Sequence, residues 1–116
     1  MLHFETQEFD CKSLPNSGIN MDNAFLQMLD DARGIAGIPF KITSGYRSVE
    51  HNQKVGGVSN SSHLIGKACD IAVGSGNKRY IIINALIKAG FSRLGVAKTF
   101  IHCDNDETKP NSIWTY

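Results

Sequence analysis

Two histidines and two aspartates in this chain stand where they could hold a metal ion. The stretch Ser61-Ser62-His63-Leu64-Ile65-Gly66-Lys67-Ala68-Cys69-Asp70-Ile71 sets an imidazole and a carboxylate seven positions apart, with a glycine between them. Downstream, Phe100-Ile101-His102-Cys103-Asp104 carries a second polar pair inside an apolar run. Two neutral imidazoles and one carboxylate, from His63, Asp70 and His102, suit a borderline cation such as zinc. Three protein ligands leave a fourth position for water, which marks a catalytic rather than a structural site. Zinc lowers the pKa of such a water to about 7 and polarises a carbonyl, so amide hydrolysis is the natural reaction. A lone histidine in a β-rich segment is more often a hydrogen-bonded structural group. Against that reading stands the pairing: three of the four residues fall on strand positions whose opposite faces are apolar.

Other residues could complete such a site. Arg47 follows Ser44-Gly45-Tyr46 at the end of a strand, where a guanidinium can clamp a carboxylate in bidentate fashion; a surface arginine is the alternative. Tyr46 and Ser61 are candidate substrate contacts, against the plainer roles of packing and of fixing a loop through its backbone. Asp104 lies two residues beyond His102 on the same strand face. It is expected to serve as a general base or to orient His102 as a hydrogen-bond acceptor. Gly66 is expected to allow a backbone conformation or close approach that a side chain would block. His51 reads as a solvated helix residue and His3 is assigned no role. Cys103 adjoins His102, but strand neighbours point to opposite faces, so no thiol–imidazole dyad is expected. Cys69 and Cys103 read as small core residues, and the sequence leaves open whether they pair.

The elements that must position these groups follow from periodicity and turn chemistry. Residues 1 to 20 read as an irregular arm pinned by Phe4 and Phe9, with a turn at Pro15-Asn16-Ser17-Gly18. A helix from about Met21 to Ala36, capped by Asn20 or Asp22, carries Phe25, Met28, Leu29, Ala32 and Ile35 on one face and stops at Gly37. Ile38 to Ser44 alternates as a strand with Pro39 at its start. Ser48 caps a short helix through about Val55, and a polar loop from Gly56 to Ser62 leads to His63. Cys69 to Val73 reads as a strand with Cys69, Ile71 and Val73 toward the core and Asp70 between two alanines on the other face. A second helix, about Lys78 to Ala89, is nearly apolar all round and so is expected to pack on a sheet. Phe91 to Val96 and Phe100 to Asp104 are strands joined by a turn at Ala97-Lys98-Thr99. In the second, Phe100, His102 and Asp104 share one face. Asp106 to Ser112 is a polar loop, and Ile113 to Tyr116 adds a last strand or an aromatic tail.

Length and composition narrow the field. At 116 residues the chain is expected to form a single domain with one modest core. A net charge of +1 without a basic block gives no footing for nucleic acid. No apolar run is long enough to span a bilayer. The start, Met1-Leu2-His3-Phe4-Glu5, lacks a secretory signal. Three cysteines, an odd number, fit reduced thiols and synthesis in the cytoplasm. No paired-cysteine zinc spacing occurs, so any metal site must use histidine and carboxylate.

Ser61-x-His63-x-x-Gly66-x-Ala68-x-Asp70, followed by the Phe100-Ile101-His102-Cys103-Asp104 strand, resembles the zinc D-Ala-D-Ala carboxypeptidases of peptidase family M15, in particular their compact branch. Ser44-Gly45-Tyr46-Arg47-Ser48 matches the family's segment before the first ligand, and the Phe4 to Cys11 arm resembles its opening. The resemblance implies a small α+β fold of the hedgehog/DD-peptidase type, an antiparallel sheet flanked by helices with zinc in a cleft on the sheet. It implies His63, Asp70 and His102 as ligands and Arg47 as a contact to a substrate carboxylate or carbonyl. It implies the peptidoglycan stem peptide as partner, cut as by a D-Ala-D-Ala carboxypeptidase or an endolysin-type endopeptidase at the cell wall or periplasm, by a monomer. Many members carry an acidic general base three positions before the last histidine. Here that position is Thr99, which leaves Asp104 as the substitute. The competing expectation is a zinc-stabilised module that binds wall peptides without cutting them.

Overall fold

The computed structural model describes residues 1–116. Helix α1 (Asn23–Ala36) starts where Asp22, in extended backbone, accepts a hydrogen bond from Phe25 N, and ends at Gly37 with φ +69°. Of the two candidate caps, Asp22 is the one used. Phe25, Leu26, Leu29 and Ala32 are buried. Ile35, read from the sequence as part of that stripe, is 48% exposed. At 3.6 residues per turn it falls roughly 110° from the centre of the buried stripe, which leans toward Leu26 instead. Residues 1 to 20 are more ordered than an irregular arm. They form 3-10 turns at Thr6–Phe9 and Ser17–Asn20, and Asp10 braces them by accepting from Asn16 N and Gly18 N. Phe4 and Phe9 are buried edge to face, 5.5 Å apart, and so pin this segment as expected.

Strand β1 is only Ile42–Ser44, shorter than the Ile38 to Ser44 run read from alternation. Pro39 brings no N–H to a ladder, Phe40 turns into the core, and before Ile42 only the Lys41 carbonyl pairs, accepting from Ala72 N at 2.9 Å. Helix α2 (Val49–Lys54) is capped by Ser48 Oγ, which accepts from His51 N. Strand β2 (Ala68–Ala72) pairs antiparallel with β4 (Phe100–Asp104), which pairs antiparallel with β3 (Arg93–Val96). Helix α3 (Gly76–Lys88) lies between β2 and β3 in the chain and packs on α1 as well as on β4. It is not apolar-packed all round: Ile82, Ala85 and Leu86 are buried, whereas Tyr80 is 69% exposed.

The five-stranded sheet has the order β1-β2-β4-β3-β5. It departs from a wholly antiparallel sheet at β5 (Ser112–Thr115), which runs parallel to β3. The reason is topological. One reversal after β4 returns the chain antiparallel to β4, whose two flanks are already taken by β2 and β3. The returning strand therefore joins the far side of β3 and runs with it. Alternation splits the sheet as expected: Cys69, Ile71, Leu94, Ile101 and Cys103 enter the core with the helix side chains, and Asp70 and His102 lie on the opposite face. No helix is long and apolar enough to cross a membrane.

A 3-10 turn, Ser62–Ile65, carries His63 into this sheet and ends at Gly66 with φ +69°. A Cβ on Gly66 would lie 2.4 Å from Asn20 O and 2.8 Å from Met21 Cα, and Gly66 O accepts from Asp22 N. The histidine-bearing turn is thus tied to the start of α1 at a point where only glycine fits. Gly66→Ala is expected to destabilise the protein by at least about 2 kcal/mol, from left-handed strain plus backbone overlap. Urea denaturation measures this, and a variant as stable as the parent would refute the close-approach argument.

Candidate metal centre

Backbone and side-chain partners decide which nitrogen each imidazole presents. His63 N donates to Ser61 Oγ, which caps its 3-10 turn, and His63 Nδ1 lies 2.7 Å from Gly45 O. A carbonyl only accepts, so Nδ1 carries the hydrogen and Nε2 is left bare. That Nε2 is 3.4 Å from Asp70 Oδ1. His102 is held the other way round: its Nε2 is 2.7 Å from Asp104 Oδ2, and its Nδ1 is 3.1 Å from the same Asp70 Oδ1. One candidate ligand atom from each of His63, Asp70 and His102 lies within 4.8 Å of the others. Two imidazole lone pairs aimed at one carboxylate oxygen repel unless a proton or a cation sits among them. The donor chemistry fits a zinc-like ion: two neutral nitrogens and one anionic oxygen, nearly buried, each braced from behind.

The surrounding groups show how strongly this cluster demands positive charge. Burial works against the Asp70 carboxylate, but hydrogen bonds from His102 and His63 outweigh it and hold Asp70 well below the usual carboxylate range. Burial likewise opposes the His102 imidazolium, yet Asp104 and Asp70 overcome it and raise His102 to about 9 from its ordinary 6.5. Asp104 is only 1% exposed. Its burial is offset by His102, by Asp106 N and by Arg93, which together lower its pKa.

Asp104 is fully committed. Oδ2 meets His102, and Oδ1 accepts from Arg93 Nε at 2.8 Å and from Asp106 N at 3.1 Å. Arg93 is itself held by Pro110 O and stacks on Trp114 with its guanidinium carbon 5.0 Å from the ring centroid. Behind His63, Ser62 Oγ donates to Asp106 Oδ2 at 2.7 Å, and Lys109 Nζ bridges Asn60 O and Ser62 Oγ. This strap joins the loop after β4 to the turn that bears His63. Arg93, Ser62, Asp106, Lys109 and the Gly45 carbonyl were not singled out from the sequence. Arg93 had left a trace, as the lone charge in an otherwise apolar strand. The loop residues had none, since loops carry no periodicity.

The centre opens into a cleft of about 440 Å³, lined by Arg47, Gly57, Ser61, Phe100, Trp114 and Tyr116 among others. Arg47 reaches Ser44 Oγ at 3.2 Å, Asn52 Oδ1 at 3.3 Å and Asp70 Oδ2 at 3.6 Å, all at the weak end of hydrogen bonding. Tyr46 packs on the core and lines a neighbouring hollow of about 340 Å³ with His51, which shares Arg47 with the main cleft. His51 and His3 stand apart from the cluster. Cys69 and Cys103 face each other in the core as free thiols, Sγ to Sγ 3.7 Å. Thr99 is exposed in the turn before β4, where its carbonyl accepts from Val73 N.

The sign of the pH dependence follows from these shifts. In protein stripped of metal by a chelator, the raised His102 contributes its stability in full below about pH 6.5 and loses it as pH climbs through about 9. The depressed Asp70 acts at the other end, adding stability above its ordinary 3.8 and losing it as acid protonates it. The thermal midpoint of stripped protein should therefore fall by several degrees between pH 6.5 and 9. Added zinc, replacing the proton among the same donors, should remove that fall. Differential scanning calorimetry decides, and a flat midpoint in stripped protein would contradict the coupling.

Residues 2–104 match the family model of peptidase M15. A relative, the zinc D-Ala-D-Ala carboxypeptidase of Streptomyces albus G, is 49% identical over 37 residues, which is 32% of this chain and 14% of that protein. The family match covers most of the chain, both histidines and both aspartates included. The chain belongs to the peptidase M15 family of zinc metallopeptidases.

Proposed function

We propose that this protein hydrolyses peptide bonds of the peptidoglycan stem peptide, as a D-Ala-D-Ala carboxypeptidase or an endolysin-type endopeptidase, on the hedgehog/DD-peptidase variant of the α+β fold. The observation that carries the reading is the convergence of His63 Nε2, His102 Nδ1 and Asp70 Oδ1 beside a loosely held arginine in one cleft. The partial likeness to a protein named for its action on D-Ala-D-Ala supports the substrate class. Bound zinc would supply an activated water at neutral pH and polarise the scissile carbonyl.

The chain's own residues then have separable tasks. His63, Asp70 and His102 hold the ion, while Gly45 O and Asp104 keep each imidazole in the tautomer that faces it. Arg47 receives the substrate's carboxylate or carbonyl. Its weak internal bonds are readily exchanged, whereas Arg93 and Lys109 are already occupied. Ser61 lines the cleft while capping the turn under His63, and Tyr46 borders the substrate path from the neighbouring hollow. Of the two roles open to Asp104, the geometry supports orientation of His102, because Oδ2 is bonded to that ring, Oδ1 already accepts twice, and the side chain is only 1% exposed. The protein would act as a monomer at the cell wall or periplasm after synthesis in the cytoplasm.

One observation favours a second reading. With Thr99 where an acidic base is often found, and Asp104 occupied, the domain could bind wall peptides without cutting them. Incubating zinc-loaded protein with peptidoglycan and resolving the products by mass spectrometry separates the two. Released D-alanine or cut stems, abolished by a chelator and restored by zinc, are expected. Intact stems that sediment with the protein would replace hydrolysis with recognition.

Asp104→Asn distinguishes the roles of that carboxylate. Loss of the carboxylate's charge and of one of its two acceptor oxygens should weaken zinc binding by about 10–100-fold, with activity recovering at high zinc. If zinc affinity were unchanged while turnover fell by about 10²–10⁴-fold, Asp104 would instead be the proton-transfer group.

A further inference from the structure

Gly95 leaves a gap on the cleft face of β3, directly across from His102. A Cβ there would lie 2.6 Å from Trp114 Nε1, 2.8 Å from Trp114 Cε2 and 2.8 Å from Tyr116 Oη. The indole nitrogen and the phenol oxygen have therefore settled onto bare backbone at the level of the metal centre. Two contacts fix them there: the Trp114 ring lies 5.4 Å from the His102 ring, and Tyr116 packs on Phe100 at 5.1 Å. Tyr116 is 71% exposed overall, yet its hydroxyl end is the part turned inward, and both aromatics line the cleft.

From this placement we propose that Tyr116 Oη is a catalytic hydrogen-bond donor to the scissile carbonyl, acting from the wall of the cleft opposite Arg47. Arg47 follows β1 and Tyr116 follows β5, the two edges of the sheet, so a peptide laid over the centre passes between them. The inference rests on the peptidase reading above.

Three features assign the phenol a donating role. The indole nitrogen and the phenol oxygen lie over the same point of Gly95, at 2.6 and 2.8 Å from it. An indole nitrogen only donates, so the phenol has no acceptor in it and its own hydrogen is free to point into the cleft. Burial of the hydroxyl end, together with the negative charge of Asp70, lifts the phenol above its ordinary value, so it stays protonated at neutral pH. The other cleft cations are spent on the protein itself: Lys109 on Asn60 O and Ser62 Oγ, Arg93 on Asp104 and Pro110 O. The phenol keeps its proton throughout. Its hydrogen bond shortens and strengthens as the carbonyl oxygen gains negative charge, which lowers the barrier more than it tightens substrate binding.

Tyr116→Phe removes the hydroxyl and leaves the ring on Phe100. In zinc-loaded protein acting on stem peptides, kcat should fall by about 10²–10³-fold with KM, zinc content and thermal midpoint near parental values. A phosphinate dipeptide that mimics the tetrahedral, negatively charged state should lose affinity by a comparable factor in calorimetry, while an uncleaved ground-state peptide analogue should not. Gly95→Ala, whose methyl group would push Trp114 and the Tyr116 hydroxyl off the backbone together, should lower kcat at least as far. Parental kcat and parental phosphinate affinity in Tyr116→Phe would overturn the assignment while leaving the peptidase reading intact. Failure of the zinc-loaded parent itself to cut stem peptides would overturn the peptidase reading, and this inference with it.

Discussion

A single row of cross-strand neighbours organises this protein. Ser44 stands opposite Asp70, Asp70 opposite His102, His102 opposite Gly95, and Gly95 opposite Trp114, so five strands contribute one residue each to a line across the sheet. Directly opposed residues in an antiparallel pair sit about 4.5–5.5 Å apart. The Asp70–His102 register thus brings a carboxylate and an imidazole within bonding range without any loop having to close over them. A slip of one residue between β2 and β4 would turn Asp70 into the core and Cys69 out of it. The buried Cys69, Ile71, Ile101 and Cys103 on the reverse face therefore protect the site's geometry by making that slip costly.

The row alone does not make a metal site, because imidazole orientation is a matter of what stands behind each ring. His63 is braced by a backbone carbonyl and presents Nε2; His102 is braced by a carboxylate and presents Nδ1. The second bracing runs deep. Asp104 is tethered by Arg93 and by the backbone of Asp106, and Asp106 in turn ties through Ser62 to the turn bearing His63. The two histidines, 39 positions apart in the chain, thus share one hydrogen-bonded support. Such networks matter most where water is scarce, since each charge removed would leave another buried and unpaired.

The cleft is asymmetric in what it offers a ligand. On the β1 side stands Arg47, charged and weakly held; on the β5 side stand Trp114 and Tyr116, neutral and aromatic. A charged clamp suits a carboxylate that is present throughout the reaction. A neutral donor suits an oxygen whose charge appears only as water adds to the carbonyl, because it gains strength with that charge. The glycine of β3 lets the two aromatic donors settle onto bare backbone beside the centre.

Much of this was legible in the residues themselves. Alternation placed Asp70 and His102 on one face and the cysteines and isoleucines on the other, because the strand period of two leaves little choice once one face is apolar. The Ser61 to Asp70 motif and the strand ending at Asp104 identified the family and the candidate ligands. The tertiary structure decided the rest. It set the parallel pairing of β5 with β3, which depends on which strand flanks were still open. It set the commitment of Asp104 to His102, and the strap from Asp106 and Lys109, because partners brought together by a loop leave no periodic signal. It also set the inward turn of Tyr116, since a phenol at the end of a strand can face solvent or a site with equal ease. That choice was made by a missing side chain on Gly95, two strands from Asp70.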